Sequence, residues 1–198
     1  MSRTLTKDGD EALLRKGMDM PRIGLLSDSH GRAVITQMAV KILLAQQAQL
    51  ILHLGDVGTV EVIDALAGLV DDQNQPVPSR LVFGNTDWDT RSLTEYARDV
   101  EVGVNHPVGV IDLGPAGTRG DAAYQLIFTH GDDPGIMDNA LSRQVKYLCH
   151  GHTHRMADHR QGATRVINPG ALTRASQYTV ALLDTDNDQL TFHPVMPS

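Results

Sequence analysis

Short apolar runs alternate with polar, glycine-bearing segments along the first half of the chain. Residues 22–26 have the length and character of a buried strand, and they stop at Ser27-Asp28-Ser29-His30-Gly31. Ile35, Met38, Ala39, Ile42 and Leu43 then recur at helical spacing, which predicts a helix over 33–48. Residues 49–54 read as a second strand, closed by Gly55-Asp56-Val57-Gly58. Thr59 suits the N-cap of a helix reaching residue 69, with Glu61 in its first turn. A third strand, 80–83, ends at Gly84-Asn85-Thr86-Asp87. This alternation implies parallel strands joined by right-handed crossovers, and such sheets carry ligands at the carboxyl ends of their strands. All three polar segments fall there.

The second half changes character. Residues 100–104, 108–113 and 124–129 read as strands joined by loops rather than helices, and the third ends at Thr129-His130-Gly131-Asp132. A helix over 136–145 leads into Leu148-Cys149-His150-Gly151-His152-Thr153-His154. Four further strands, at 156–160, 164–167, 179–183 and 190–193, suggest an antiparallel sheet, with Asp186-Asn187 turning the last hairpin. Residues 1–20 are polar apart from Leu13-Leu14 and read as a leader, loosely ordered or a short surface helix. Residues 21–198 read as a single domain without an internal repeat.

Composition narrows the class. In 198 residues, 41% are hydrophobic and only 4% aromatic, so the core must rest on aliphatic side chains. The net charge of −7 argues against a surface that coats nucleic acid. One cysteine, Cys149, excludes an intrachain disulfide framework and fits a reducing compartment. Its apolar neighbours make it a buried strand residue rather than a nucleophile. No run approaches a membrane span and the N-terminus lacks a signal-peptide apolar segment, so the expected location is cytoplasmic.

The candidate chemistry lies at the strand ends. His152 and His154 alternate along an extended segment, so both can face one object, and imidazole is a common ligand for divalent metals. Taken alone, this stretch also reads as a hydrophilic loop. The other strand ends add Asp28, His30, Asp56, Asn85 and His130. Each has a plain explanation as a cap, turn or surface residue. Their joint position after apolar strands, mostly beside glycine, is harder to obtain by chance. A carboxylate, amide and imidazole set suits divalent ions, and the lack of cysteine ligands disfavours structural zinc.

In order, D-S-H-G, G-D-V-G, G-N-T-D, T-H-G and G-H-T-H resemble the five blocks of the calcineurin-like metallophosphoesterases. The likeness is best to their small prokaryotic phosphodiesterase branch, and it covers about residues 22–170. The resemblance implies an α/β fold: a four-layer α/β/β/α sandwich of two mixed sheets flanked by helices. It also implies two divalent metal ions, manganese first, with nickel, iron, cobalt or zinc as alternatives. Asp28, His30 and His154 would hold one ion, Asn85, His130 and His152 the other, and Asp56 would bridge them. A hydroxide between ions about 3.5–4 Å apart would attack phosphorus in line. Asp56 and Asn85 are thus the expected catalytic residues, with Asp87 orienting from behind.

This chain departs from the commoner pattern at Thr86, where relatives carry histidine or, in the small branch, often cysteine. A threonine hydroxyl cannot act as a general acid near neutral pH, so esters with good leaving groups are favoured. Arg91 and Arg174 are candidates to clamp a substrate phosphate, although a solvated surface role fits either equally well. His53 reads as a packed or supporting residue, Asn168-Pro169-Gly170 as a turn bordering the site, and His106, His159 and His193 as surface residues.

The resulting expectation is a metal-dependent phosphodiesterase acting on a small phosphate ester, without a membrane or nucleic-acid partner, though a nucleotide substrate remains open. A homo-oligomer is compatible with the sequence. The alternatives are a phosphomonoesterase, a nucleotide hydrolase, or a non-catalytic scaffold like the family's retromer subunit. A complete set of ligand types favours the enzyme.

Overall fold

The structure is a computed structural model that describes residues 21–115 and 117–196. The expected leader, residues 1–20, lies outside the described residues.

Two sheets face each other. The first has the order β11-β10-β1-β2-β3-β4. Its parallel strands are β1 (Arg22–Leu26), β2 (Leu50–Leu54), β3 (Ser79–Val82) and the short β4 (Gly103–Val104). The antiparallel hairpin of β10 (Thr179–Asp184) and β11 (Gln189–Pro194) extends it on the far side of β1. The second sheet has the order β5-β6-β7-β9-β8. It comprises β5 (Val108–Asp112), β6 (Gln125–Thr129), β7 (Tyr147–Cys149), β8 (Ala157–Gln161) and β9 (Thr164–Asn168).

Period-two alternation builds the layers, because successive strand side chains point to opposite faces. Leu25, Leu52, Val82, Phe128, Tyr147 and Ile167 meet between the sheets. Their chain neighbours Leu26, Ile51 and Leu81 face outward, against α1 (Ala33–Ala45), α2 (Val60–Asp64) and α3 (Thr90–Asp99). Ile127, Leu148 and Val166 face outward on the second sheet, beneath α4 (Pro134–Ser142). Each such fully buried aliphatic side chain contributes about 1.5–3 kcal/mol. The layers are therefore helices, sheet, sheet and helix, as expected.

The details differ from the expectation in several places, and the helix expected from Thr59 to residue 69 is only Val60–Asp64. The last four strands do not form one antiparallel sheet: β8 and β9 join the second sheet, while β10 and β11 join the first. Within the second sheet, β6, β7 and β9 run parallel. Helix α3, absent from the sequence reading, follows the Asn85 loop; Asp89 caps it by accepting from the Ser92 amide at 3.1 Å. The strand expected over 100–104 shrinks to β4, because Val100 closes α3 and Glu101 turns the chain at φ 61°. The turn between β10 and β11 forms as expected, with Asp184 Oδ1 accepting from the Asp186 and Asn187 amides.

Candidate metal centre

The loops after β1, β2, β3, β6 and β7 meet along one edge of the two sheets. The sheet ladder continues into them: Asp28 N donates to Gly55 O at 3.0 Å, and His30 N donates to Asp56 O at 2.8 Å. The loop after β7 is fixed by Gly151 N donating to His130 O at 2.9 Å. Close approach explains one glycine directly, since a Cβ on Gly84 would overlap the Asp56 carboxylate and the His130 ring.

Asp28, His30, Asp56 and His154 each aim one atom into a common space, where all four atoms lie within 4.8 Å of one another. His154 Nε2 stands 3.2 Å from Asp28 Oδ1, and His30 Nε2 stands 3.2 Å from Asp56 Oδ2. Neither Asp28 oxygen nor His30 Nε2 makes a hydrogen bond, although all are buried. Buried acceptors without donors are costly. A cation among them removes that cost, so the donor set fits a divalent ion.

The second group adjoins the first. Asn85 Oδ1 lies 3.2 Å from His130 Nε2 and 3.1 Å from His152 Nδ1, and the two rings sit edge to face at 5.1 Å. His130 Nδ1 is 2.8 Å from the Leu54 carbonyl, a contact that needs the proton on Nδ1. His130 Nε2 then faces Asn85 Oδ1 and also Asp56 Oδ1, which is 3.5 Å away. Asp56 thus touches both groups.

Local electrostatics follow this crowding. Burial raises the Asp28 pKa above its ordinary value, against the pull of Ser27, His130 and His154. Burial also opposes charge on Asp56, but hydrogen bonds from His130 and Thr86 outweigh it and hold the carboxyl well below the usual range. Burial works against charge on His130 too, yet the Asp56 carboxylate and the Leu54 carbonyl lift its pKa.

The loops are held in uncommon conformations. Asp28, His30, Asp56, His152 and His154 all have positive φ, between 43° and 65°. Such conformations cost about 1–3 kcal/mol each outside glycine and persist only where the surroundings enforce them.

Among the remaining sequence candidates, Thr86 is at the centre. Its amide donates to Asp56 Oδ1 at 3.0 Å and its hydroxyl lies 3.4 Å from His30 Nδ1. Among the described residues, Asp87 makes no hydrogen bond to a candidate ligand side chain. It accepts from the Val57, Gly58 and Gly84 amides at 3.1, 2.7 and 2.8 Å, so it ties the β2 loop to the β3 loop. Arg174 is exposed, and its charge reaches His30 strongly enough to help lower that residue's pKa, behind burial. Arg91 instead pairs with Glu95 along the exposed face of α3, at 3.3 Å.

Supporting residues were less legible. His53 is fully buried, accepts or donates at Ser29 Oγ at 2.8 Å, and has its pKa lowered to about 3 by burial. Thr36 donates to the same Ser29 hydroxyl, so the Asp28–His30 loop is propped from below. Asn168 Nδ2 donates to Gly151 O at 2.7 Å and to Thr153 Oγ1 at 3.1 Å, which orders the double-histidine loop. The sequence signal for that role was the Asn-Pro-Gly turn. Cys149 is wholly buried, and burial pushes its thiol far up, as its strand position implied.

Residues 21–188 match the calcineurin-like phosphoesterase superfamily domain. The chain belongs to that superfamily. It is 25% identical over 173 residues to a phosphodiesterase of Methanocaldococcus jannaschii, covering 85% of this chain and 95% of the relative. Among solved structures, an archaeal phosphodiesterase superposes with a TM-score of 0.71 at 21% identity, over 87% of this chain and 99% of its own. YfcE, a phosphoesterase from E. coli, gives a TM-score of 0.61 at 19% identity, over 88% and 100%. These two likenesses are of fold. Among the described residues, no helix is long and apolar enough to cross a membrane.

Proposed function

We propose that this metal-dependent phosphoesterase is a phosphodiesterase using two divalent ions, manganese in the first instance, on a small phosphate ester in the cytoplasm. The observation carrying this reading is the pair of adjoining donor groups that share Asp56, one of them with buried acceptors lacking donors. Asp28, His30 and His154 would hold one ion, and Asn85, His130 and His152 the other. Bound there, the ions would supply positive charge at the phosphoryl oxygens and a water acidic enough to attack at neutral pH.

The chain's own residues do the rest. The Thr86 amide fixes the Asp56 carboxylate, and Leu54 sets the His130 tautomer by accepting from Nδ1. Asp87 holds the two loops that carry Asp56 and Asn85 in register. Arg174, whose charge is felt at His30, would offset phosphate charge there. Thr86 contributes a hydroxyl rather than an acid, so turnover should depend steeply on the leaving group's pKa. The M. jannaschii relative, a phosphodiesterase by name, supports the diester preference.

The test is a panel of aryl mono- and diesters offered to metal-stripped protein after addition of Mn²⁺, Ni²⁺, Co²⁺, Zn²⁺ or Mg²⁺, with elemental analysis alongside. Two ions per chain and faster diester turnover are expected. A single well-occupied ion, or a clear preference for monoesters, would overturn the corresponding half of the reading.

A further inference from the structure

The chain contains one tryptophan, and the fold does not use it. Trp88 is 91% exposed, whereas Phe83, Phe128 and Tyr147 are packed in the core. In a sequence with 4% aromatics, leaving the largest apolar side chain in water forgoes substantial burial.

Its place on the backbone is specific. Trp88 follows Thr86 by two residues, so their Cα atoms are at most about 7.6 Å apart. The Thr86 amide itself bonds Asp56. The residues on either side are anchored: Asp87 by three backbone amides, and Asp89 as the cap of α3. The backbone beneath the ring is therefore pinned, two residues from the Thr86 amide that bonds Asp56, while the ring stands in solvent. Two other exposed apolar side chains stand close in sequence to ligand candidates, Val34 after His30 and Met156 after His154. No contact within the described structure accounts for Trp88, and an aromatic face is sequence-tolerant in what it stacks upon.

We propose that Trp88 is a stacking platform for an aromatic group on the substrate ester, an aryl ring or a nucleobase, and so a specificity-determining residue of this site. The proposal rests on the phosphodiesterase reading above.

Non-hydrolysable phosphonates separate ring from phosphate. Methylphosphonate, phenylphosphonate and the 5′-phosphonate analogue of adenosine monophosphate would be measured as competitive inhibitors of bis(p-nitrophenyl) phosphate hydrolysis. The proteins are manganese-loaded wild type, Trp88→Ala and Trp88→Phe. Trp88→Ala should weaken the aromatic phosphonates about 5- to 150-fold, leave methylphosphonate unchanged, and be largely rescued by phenylalanine. Weakening of both aromatic ligands marks any aryl ring; weakening of the adenosine analogue alone marks a nucleobase. Equal loss on all three ligands, or none on any, would overturn the platform, as would sedimentation showing that Trp88→Ala breaks a dimer of this chain.

The single tryptophan supplies a readout without turnover. Its fluorescence in the wild type should be quenched by the aromatic phosphonates and not by methylphosphonate. Protein that hydrolyses no diester yet shows this selective quenching would sink the enzymatic reading and keep the platform. Active protein without selective quenching does the reverse.

Discussion

Two clusters of charged side chains sit in this fold, and they are built on opposite principles. Around Arg165 every charge is answered. Its guanidinium grips Asp158 through two bonds of 2.8 Å, while Nη1 holds Asp188 Oδ1 at 2.8 Å and the Asp188 carbonyl at 2.6 Å. Tyr147 and Arg160 complete the Asp188 carboxylate at 2.9 and 2.7 Å. This fork geometry joins β9 of the second sheet to the turn between β10 and β11 of the first. At the metal centre, by contrast, both buried Asp28 carboxylate oxygens and His30 Nε2 make no hydrogen bond, on a backbone bent into positive φ. Charge density is common to both clusters. Unanswered acceptors on strained loops belong to one, and they mark the place built to hold something else.

The largest expected effect breaks the comparison at its centre. Asp56→Ala removes the one carboxylate that touches both donor groups. Activity should fall by more than the roughly 100-fold typical of losing an outer-shell partner. The fold should persist, because the core strands bury their apolar faces without it, and circular dichroism with a metal count checks both points. An unfolded variant would make the centre structural.

Next, adding Mn²⁺ to stripped protein should raise its melting temperature. Ions at 100 times their dissociation constant stabilise the folded state by about 2.7 kcal/mol. Calorimetry should show that gain in the Arg165 variant described below and lose much of it in Asp56→Ala. Equal gains in both variants would place the ions elsewhere.

Asp87→Asn should act more mildly. An amide offers one accepting oxygen where the carboxylate serves three backbone amides, so the β2 and β3 loops loosen relative to each other. Turnover should fall about 10- to 100-fold with melting little changed. Wild-type turnover in this variant would remove Asp87 from the positioning of the site.

The smallest effect sharpens the comparison from the other side. Arg165→Met should cost about 1–2 kcal/mol of stability, discounted because Asp158 and Asp188 are 34% and 38% exposed, and leave turnover per folded molecule unchanged. The Arg165 bonds lower the Asp158 pKa, and together with Tyr147 they outweigh burial to lower that of Asp188. Their contribution is therefore full above the ordinary carboxylate range and lost as pH falls through the lowered values. The gap between wild type and variant in denaturant melts should close below about pH 4. A gap that survives at lower pH would assign the loss to packing of the arginine stem instead.

Much of this contrast can be traced in the sequence, but unequally. The five glycine-flanked segments announced Asp28, His30, Asp56, Asn85, His130, His152 and His154, and the structure brings all seven to one sheet edge. Helix α3 escaped because Thr90–Asp99 is largely polar and buries only Leu93 and Ala97. Arg174 and Arg91 looked alike as sequence, yet one reaches His30 electrostatically and the other pairs with Glu95. Nothing in a linear reading separates two exposed arginines, since their partners are brought near by folding.

The chain alone determined which strands are buried and which residue types stand at their carboxyl ends, because apolar run length, period-two alternation and glycine turns are local properties. Tertiary structure alone decided that the β10–β11 hairpin joins β1 through β10 while the β8–β9 hairpin joins β7 through β9. Both pairs carry hairpin patterns compatible with either sheet, and only the competition for buried area among distant segments selects one. It also decided that Asp87 would clamp loops rather than touch the ligand cluster, and that Trp88 would stand in water. Hydrogen-bond satisfaction and exposure depend on what the rest of the chain leaves within reach.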